Sequence, residues 1–469
     1  MTRLALLDQA AFLRLRATGQ GSVCQCTWVY DRDVDIDELR IFNRNLGAGL
    51  LGRRIERSPL PFGRHRWVVD DSSPAIDLAA ACRPREGIGA WIEQRARVTV
   101  DPERGPTFHL GVLPLADGGT AISLVASHCV ADGLGLATAI AEAVKCERRD
   151  FGYPQPNSRS RWRAVSEDLA DAVRALPAVI RALIATLLIL LRLSPAAKPP
   201  NAKAPTEPPT EPPTAARNPP LVAGDDDEAE LPSVTMQTDA SAWDTRAREL
   251  SASSNTLFIA FAARLARRMG RVHPDGNTVT VVLPVSERSA GDTRANALTS
   301  ITLAVDSEAV LDDMRMVRAD IKSRLTSQQP NEMLAGLPLI PFTPRWLVRH
   351  TEGIAMASGQ LPVGCSNLGG IDTVLGRIDG GDATEVSMRL AEQGITRRRI
   401  ERIHGQLFCG TGTVNGSRFI TVVAYRGGAP NTAPSAPNTA PSTPSTAPST
   451  RDLALGALAD LHLSATSVR

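Results

Sequence analysis

Residues 195–220 set the first limit on how this chain folds. The stretch is dense in Pro, Ala, Lys and Thr and contains the near-repeat Pro205-Thr206-Glu207-Pro208-Pro209-Thr210-Glu211-Pro212-Pro213. The acidic run Asp225-Asp226-Asp227-Glu228 follows it. A segment so poor in large apolar residues cannot bury enough surface to offset its ordering entropy, so it reads as an extended linker. The 469 residues then divide into an N-terminal half at 1–194, a linker at 195–232 and a C-terminal half at 233–469. The length agrees, because a chain this long exceeds what one hydrophobic core usually organises. A second stretch, about 427–450, repeats Ala-Pro-Asn/Ser-Thr units and reads as a low-complexity loop. A short helix is expected after it, from Arg451 to His462, with Leu455, Leu458 and Leu461 near one face.

Both halves mix strands and helices. In the first, Asp35 reads as the N-cap of a helix to about Leu50, with Leu39, Phe42, Leu46 and Leu50 along its apolar side. Ala121 to Ala126 reads as a buried strand, and the residues from Gly133 to Val144 as a helix. In the second, Asn255 reads as the N-cap of a helix carrying Leu257, Phe258, Phe261, Leu265 and Met269, stopped by Gly270. Thr278–Leu283, Ile301–Val305 and Phe419–Tyr425 read as strands, and Leu311, Met314, Val317, Ile321 and Leu325 mark another helix. Two α/β halves of similar size place a shared site at their interface.

Composition removes several function classes. Formal net charge is +2, so no overall field draws the chain to nucleic acid or anionic membrane. Only 4% of residues are aromatic, too few for base-stacking platforms. Seven cysteines are scattered without a framework, which suits a reducing compartment. Cys24 and Cys26 share a face of a strand, where they read as half-buried, and no CxxC pair offers a zinc site. Met1 to Asp8 lacks the apolar run of a signal peptide, and the expectation is a cytoplasmic protein. Leu176–Leu193 is the most membrane-like stretch. Pro177, Arg181 and Arg192 interrupt it, leaving an apolar core at Ala182–Leu191, short of the ~20 residues needed to span a bilayer. It reads as a helix packed between the halves, with peripheral membrane contact as the alternative.

The chemistry concentrates at Ser127-His128-Cys129-Val130-Ala131-Asp132-Gly133. A strand-to-helix junction fixes the backbone and lets a side chain face a cleft. An imidazole titrating near roughly 6.5 can, when neutral, take a proton from an alcohol or amine. Asp132 lies four residues on, and Gly133 permits close backbone approach. His128 and Asp132 would supply only two metal ligands, and no HExxH or other cluster completes them, so no metal site is expected. Gly364-Cys365-Ser366-Asn367-Leu368-Gly369 fails the GxSxG spacing of a serine hydrolase. Asn367 reads first as fixing a loop that faces the cleft, and Arg397, Arg398, Arg399 and Arg402 as a solvated basic face. His109, His350 and His404 read as structural.

The same segment resembles the HxxxDG motif of the CoA-dependent acyltransferase superfamily. That group includes chloramphenicol acetyltransferase, nonribosomal peptide condensation domains, polyketide-associated acyltransferases and bacterial wax ester synthase/diacylglycerol acyltransferases. Further stretches are similar to the last group in the same order. Leu6-Leu7-Asp8-Gln9-Ala10-Ala11-Phe12 resembles its opening, and Asn255-Thr256-Leu257 its second-domain helix start. Leu283-Pro284-Val285-Ser286-Glu287-Arg288 resembles its PVSxR segment, Ser366-Asn367-Leu368-Gly369-Gly370 its SNxxG loop, and Val423 to Gly428 its final strand. Ser127 stands where the lipid synthases commonly carry the first histidine of HHxxxDG.

The resemblance implies two chloramphenicol-acetyltransferase-like α/β domains in a V-shaped pseudo-dimer, with the active site at their interface. It implies acyl transfer from an acyl-CoA or acyl-carrier thioester to a hydroxyl acceptor, lipid-like in the wax ester synthase manner, with no bound cofactor. His128 and Asp132 become the catalytic pair, with His128 as general base and Asp132 structural, paired with an arginine not identified in the sequence. Gly133, Ser366 and Asn367 become substrate-binding residues. Condensation-type transfer to an amine or polyketide hydroxyl, with an acyl carrier protein as a candidate partner, and acyl-CoA binding without turnover stay open as alternatives.

Overall fold

The computed structural model of the protein describes residues 2–70, 72, 74–193, 227–274, 276–289, 291–312, 314–326, 336–356, 361–427 and 448–469. The extended linker read at 195–220 lies outside the described residues. So does the low-complexity loop read at 427–450, apart from Gly427 and 448–450.

The N-terminal half contributes strands β1 (Gly21–Tyr30), β2 (Arg53–Glu56), β3 (Arg66–Val69), β4 (Asp77–Leu78), β5 (Phe108–Pro114) and β6 (Thr120–Ser127). The C-terminal half contributes β7 (Ser233–Asp239), β8 (Thr278–Ser286), β9 (Leu298–Asp306) and β10 (Val363–Gly370). It continues with β11 (Glu385–Gln393), β12 (Gly405–Val414), β13 (Ser417–Arg426) and β14 (Ser467–Val468). The helices that matter below are α1 (Leu6–Thr18), α2 (Ile36–Ala48), α3 (Ile88–Ala96) and α4 (Gly133–Val144). To these add α5 (Arg161–Leu193), α6 (Ala240–Glu249), α7 (Ser254–Arg268) and α8 (Met314–Thr326).

Two sheets carry the molecule. One has the order β11-β1-β6-β5-β4, the other β14-β7-β13-β12-β10-β8-β9, and β2-β3 form a separate ribbon. The first sheet therefore takes its edge strand from the C-terminal half. β11 pairs antiparallel along β1, with Cys24 opposite Leu390 and Cys26 opposite Met388. Its backbone also reaches the second sheet, where Gln237 Nε2 donates to Val386 O at 2.9 Å and Thr421 Oγ1 to Met388 O at 3.2 Å. Each sheet has its own core, and the N-terminal core includes Ala295, Leu375, Met388 and Phe419 from beyond the linker. Burial of this apolar surface, worth roughly 25 cal/mol per Å², thus ties the halves together.

Local rules place most elements. Asp35 caps α2, its Oδ1 accepting from Asp37 N (2.8 Å) and Glu38 N (3.1 Å), and Leu39, Phe42 and Leu46 are buried. α7 starts earlier than expected. Ser253, not Asn255, is the cap, accepting from Thr256 N at 3.1 Å, and Asn255 is thereby freed for a partner elsewhere. β8 and β9 run beyond the short apolar stretches because they pair with each other along their whole length. Cys24 and Cys26 are fully rather than half buried, since both faces of β1 are covered. The last helix runs Thr450–Asp460 behind a Ser449–Asp452 capping box and buries Leu453, Ala454, Ala457 and Leu458. The expected apolar helix at Ala182–Leu191 is the end of the 33-residue α5, with Pro177 inside it.

Candidate active site

β6 ends at Ser127, and the next five residues form the turn into α4. His128 N donates to Ser22 O (2.9 Å), while Val130 N and Ala131 N both turn back to Ser127 O (2.8 and 3.2 Å). Asp132 then caps α4 by accepting from Gly135 N at 2.7 Å. The buried guanidinium of Arg53 grips the turn from below. Its Nη2 donates to Val130 O at 2.7 Å, and its Nη1 to Tyr153 OH (2.7 Å) and Thr293 O. It also lies 4.0 Å from the centre of the Trp67 ring, a cation–π contact.

The far side of the turn is held by Arg288 and residues 291–297, in the connection between β8 and β9. Arg288 Nη2 donates to Asp132 Oδ2 (2.8 Å) and to Ala295 O (3.1 Å), and Ala297 N donates to the same carboxylate oxygen (3.0 Å). Asp132 N donates to Ala295 O at 2.9 Å. Asn296 Nδ2 donates to His128 O at 3.3 Å. Asp8, in α1, steadies this crossing loop. Its carboxylate accepts from Ala295 N (3.1 Å), Asn296 N (2.7 Å) and Asn296 Nδ2 (3.2 Å). Burial nevertheless pushes the Asp8 carboxyl up, outweighing the amides and Arg53 that pull it down. Arg288 is the arginine partner that the sequence left unnamed. Asp8, Arg53 and Asn296 were not singled out by sequence reasoning as site residues. The Leu-Leu-Asp-Gln opening and the Arg of the PVSxR segment were the available signals for two of these four.

Beside the turn lies a cavity of about 170 Å³. All five residues singled out in the sequence line it: His128, Asp132, Gly133, Ser366 and Asn367. Cys24, Leu134, Pro284, Leu298, Leu368, Met388, Leu390 and Phe408 give it a mainly apolar wall. His128 is half buried, and among the described residues no hydrogen bond holds its ring. Gly133 and Leu134 begin α4, so their amides have no carbonyl partner within the helix. Both residues line the same cavity. Gly133 also lets the walls close, since a Cβ there would sit 3.0 Å from Leu368 Cδ2.

Asn367 is committed to structure. Its Nδ2 donates to Asn255 Oδ1 (2.9 Å), and its Oδ1 accepts from Gly369 N (2.9 Å), which holds a turn whose positive φ of 69° suits glycine. Cys24 lines the cavity, but burial and the Asp132 carboxylate push its thiol up, and burial pushes Cys129 up to about 12. Neither is set up as a thiolate nucleophile. Among the described residues no group of three or more His, Cys, Asp or Glu side chains comes together to hold a metal ion.

No protein-family model and no curated protein matches the sequence. Solved structures do. The chain is similar to the first condensation domain of the CDA synthetase at 14% identity, with 90% of each chain covered and a TM-score of 0.52. Polyketide synthase associated protein 5 from Mycobacterium tuberculosis matches at 15% identity, over 90% of this chain and 92% of that one, with a TM-score of 0.49. The epimerization domain from the third module of tyrocidine synthetase B matches at 13% identity, over 91% and 92%, with a TM-score of 0.47. The chain thus has the condensation-domain fold. That fold agrees with the two-lobed α/β pseudo-dimer expected from the sequence.

Proposed function

We propose that this protein is an acyltransferase that moves an acyl group from a CoA or carrier-protein thioester to a hydroxyl acceptor, with His128 as the general base. Fold alone does not fix activity, so the reading rests on the site. One observation carries it: a half-buried histidine whose ring has no hydrogen bond among the described residues faces an apolar cavity, on a turn whose backbone is pinned from both halves. A base that acts on substrate needs its ring nitrogen available and its position fixed.

The neutral imidazole takes the acceptor's hydroxyl proton as that oxygen bonds to the thioester carbonyl carbon. The carbonyl oxygen becomes an oxyanion, for which the amides of Gly133 and Leu134, without a carbonyl partner inside α4 and at its positive end, are suitable donors. Collapse breaks the carbon–sulfur bond, and the imidazolium returns its proton to the departing thiolate. The apolar wall from Cys24 to Phe408 suits an acyl chain and a lipid-like acceptor. Asp132, tied up by Arg288, Ala297 and Gly135, acts as a positioning residue.

The likeness to a condensation domain supports a second reading, in which an amine replaces the hydroxyl. Thiol release from a panel of acyl-CoA donors, followed with DTNB against hydroxyl and amine acceptors in turn, separates the two. Release that depends on alcohols supports the first reading and release that depends on amines the second. Binding of acyl-CoA with no release against any acceptor contradicts both and leaves a binding protein.

A further inference from the structure

The helix α5 shows an apolar stripe to solvent. Leu169, Val173, Leu176, Ile180, Leu183 and Leu187 recur at intervals of four and three, and all are exposed, Leu187 to 58%. The expectation of a helix packed between the halves is not met. The body holds α5 by its opposite face, where Val179 and Ala182 are buried. There Asp168, wholly buried, takes ion pairs from Arg3 (2.6 Å) and Arg159 (2.9 Å). The stripe is thus presented outward by anchored contacts.

The intervals alone suit a partner helix as well as a lipid surface. Two further observations decide between them. Ile184 and Leu188 are also exposed and widen the face beyond the narrow seam a coiled coil uses. From Val173 on, the charges around it have one sign, the helix's acids Glu167, Asp168 and Asp171 all lying nearer its start. Residues 172–193 contain Arg174, Arg181 and Arg192 and no Asp or Glu. Arg174 and Arg181 are exposed, and each follows a stripe residue by one position, about 100° around the helix, so they rim the apolar face. A second copy packed in parallel would set arginine against arginine along this part of the stripe. An anionic surface with an apolar interior answers both features.

A neighbouring segment adds to the pattern. The 3-10 segment Leu337–Phe342 packs against α5 and leads into the helix Arg345–Met356, where Trp346 is 65% exposed between the exposed Arg345 and Arg349. Tryptophan with flanking arginine is the composition of a membrane–water boundary. No helix among the described residues is long and apolar enough to cross a bilayer, so α5 would lie on the surface. The net charge of +2 conceals this local bias.

We infer that α5 docks the protein on anionic lipid bilayers, with the stripe among the acyl chains and Arg174 and Arg181 at the headgroups. The test is flotation of the full chain with phosphatidylcholine vesicles, with and without phosphatidylglycerol. The protein should float with the anionic vesicles, much less with the neutral ones, and be released by high salt. I180E/L187E should abolish flotation, and R174Q/R181Q should weaken it by about fivefold per arginine. All four side chains are exposed, so melting temperature should stay near the parent value. Should one variant fail to fold, the other carries the test. Absence of flotation on anionic vesicles, or undiminished flotation of either folded variant, overturns the inference. So does a wild-type dimer that I180E/L187E turns into a monomer, because the occupant is then a second copy.

Discussion

Arg288, from the C-terminal half, donates to the Asp132 carboxylate of the N-terminal half at 2.8 Å, with both side chains largely buried. The pair is the polar centre of a junction in which one carboxylate caps a helix, accepts a backbone amide from the other half and meets a guanidinium. Asp132 therefore reports on the closure of the two halves as much as on the turn that bears His128.

Removal of Arg288 tests that reading. Loss of one member of a buried ion pair costs about 3 kcal/mol, so Arg288→Ala should lower stability by about that amount in urea unfolding. Arg288→Lys should rescue little. A single ammonium cannot reproduce the fork that reaches Arg294 O through Nη1 and both Asp132 and Ala295 O through Nη2.

Asp8 acts one step further out. Asp8→Asn keeps the shape but turns one of the two acceptor oxygens into a donor facing the amide of either Ala295 or Asn296. A buried clash of this kind costs about 2 kcal/mol. With Asn296 loosened from His128 O, kcat for acyl transfer should fall more than KM rises. Steady-state kinetics and urea unfolding of the same variant check both outcomes.

Gly133 sets the width of the cavity. In Gly133→Ala the new methyl, 3.0 Å from Leu368 Cδ2, pushes the flexible end of that side chain into the space. The KM for the acyl donor should rise several-fold while the melting temperature hardly moves. An unchanged KM would place the acyl chain elsewhere.

A pH prediction comes from His109, which lies outside the site. Burial, and then the Arg95 guanidinium, push its imidazole down to about 4. Its Nδ1 accepts from Arg95 Nη2 at 2.9 Å, and Nε2 faces Val98 O, an arrangement that needs the neutral ring. In the unfolded chain the group titrates near roughly 6.5. Between those values the unfolded state binds more protons, so stability is full above the upper value and falls as pH drops toward the lower. The loss reaches about 3 kcal/mol. His109→Gln should flatten the slope of urea-unfolding free energy across that window.

The sequence made the local parts readable and the long-range parts hardly at all. Asp35, the strand before Ser127 and the helix after Asp132 follow from capping and periodicity, which act within a few residues. Asn255 was mistaken for a cap because Ser253 two residues earlier competes with it, and only the backbone shows which one meets Thr256 N. β11 was not read from the sequence at all, and nothing local says that it leaves its own half to pair with β1. The arginine partner of Asp132 lies 156 residues away, a separation that no periodicity encodes. Pro177 looked like an interruption, whereas α5 runs through it because tertiary contacts on the opposite face hold both sides. All five residues singled out for the site meet at one cavity, while the supports Asp8, Arg53 and Asn296 emerge from hydrogen bonds alone.

The role of His128 is the central claim, and thiol release by His128→Ala beside the parent protein tests it most directly. With an acyl-CoA donor and a hydroxyl acceptor that the parent turns over, the variant should be slower by about 100-fold or more. Its acyl-CoA affinity and melting temperature should stay close to the parent's, because the ring makes no hydrogen bond among the described residues. Full activity in His128→Ala would contradict the account and move the base elsewhere.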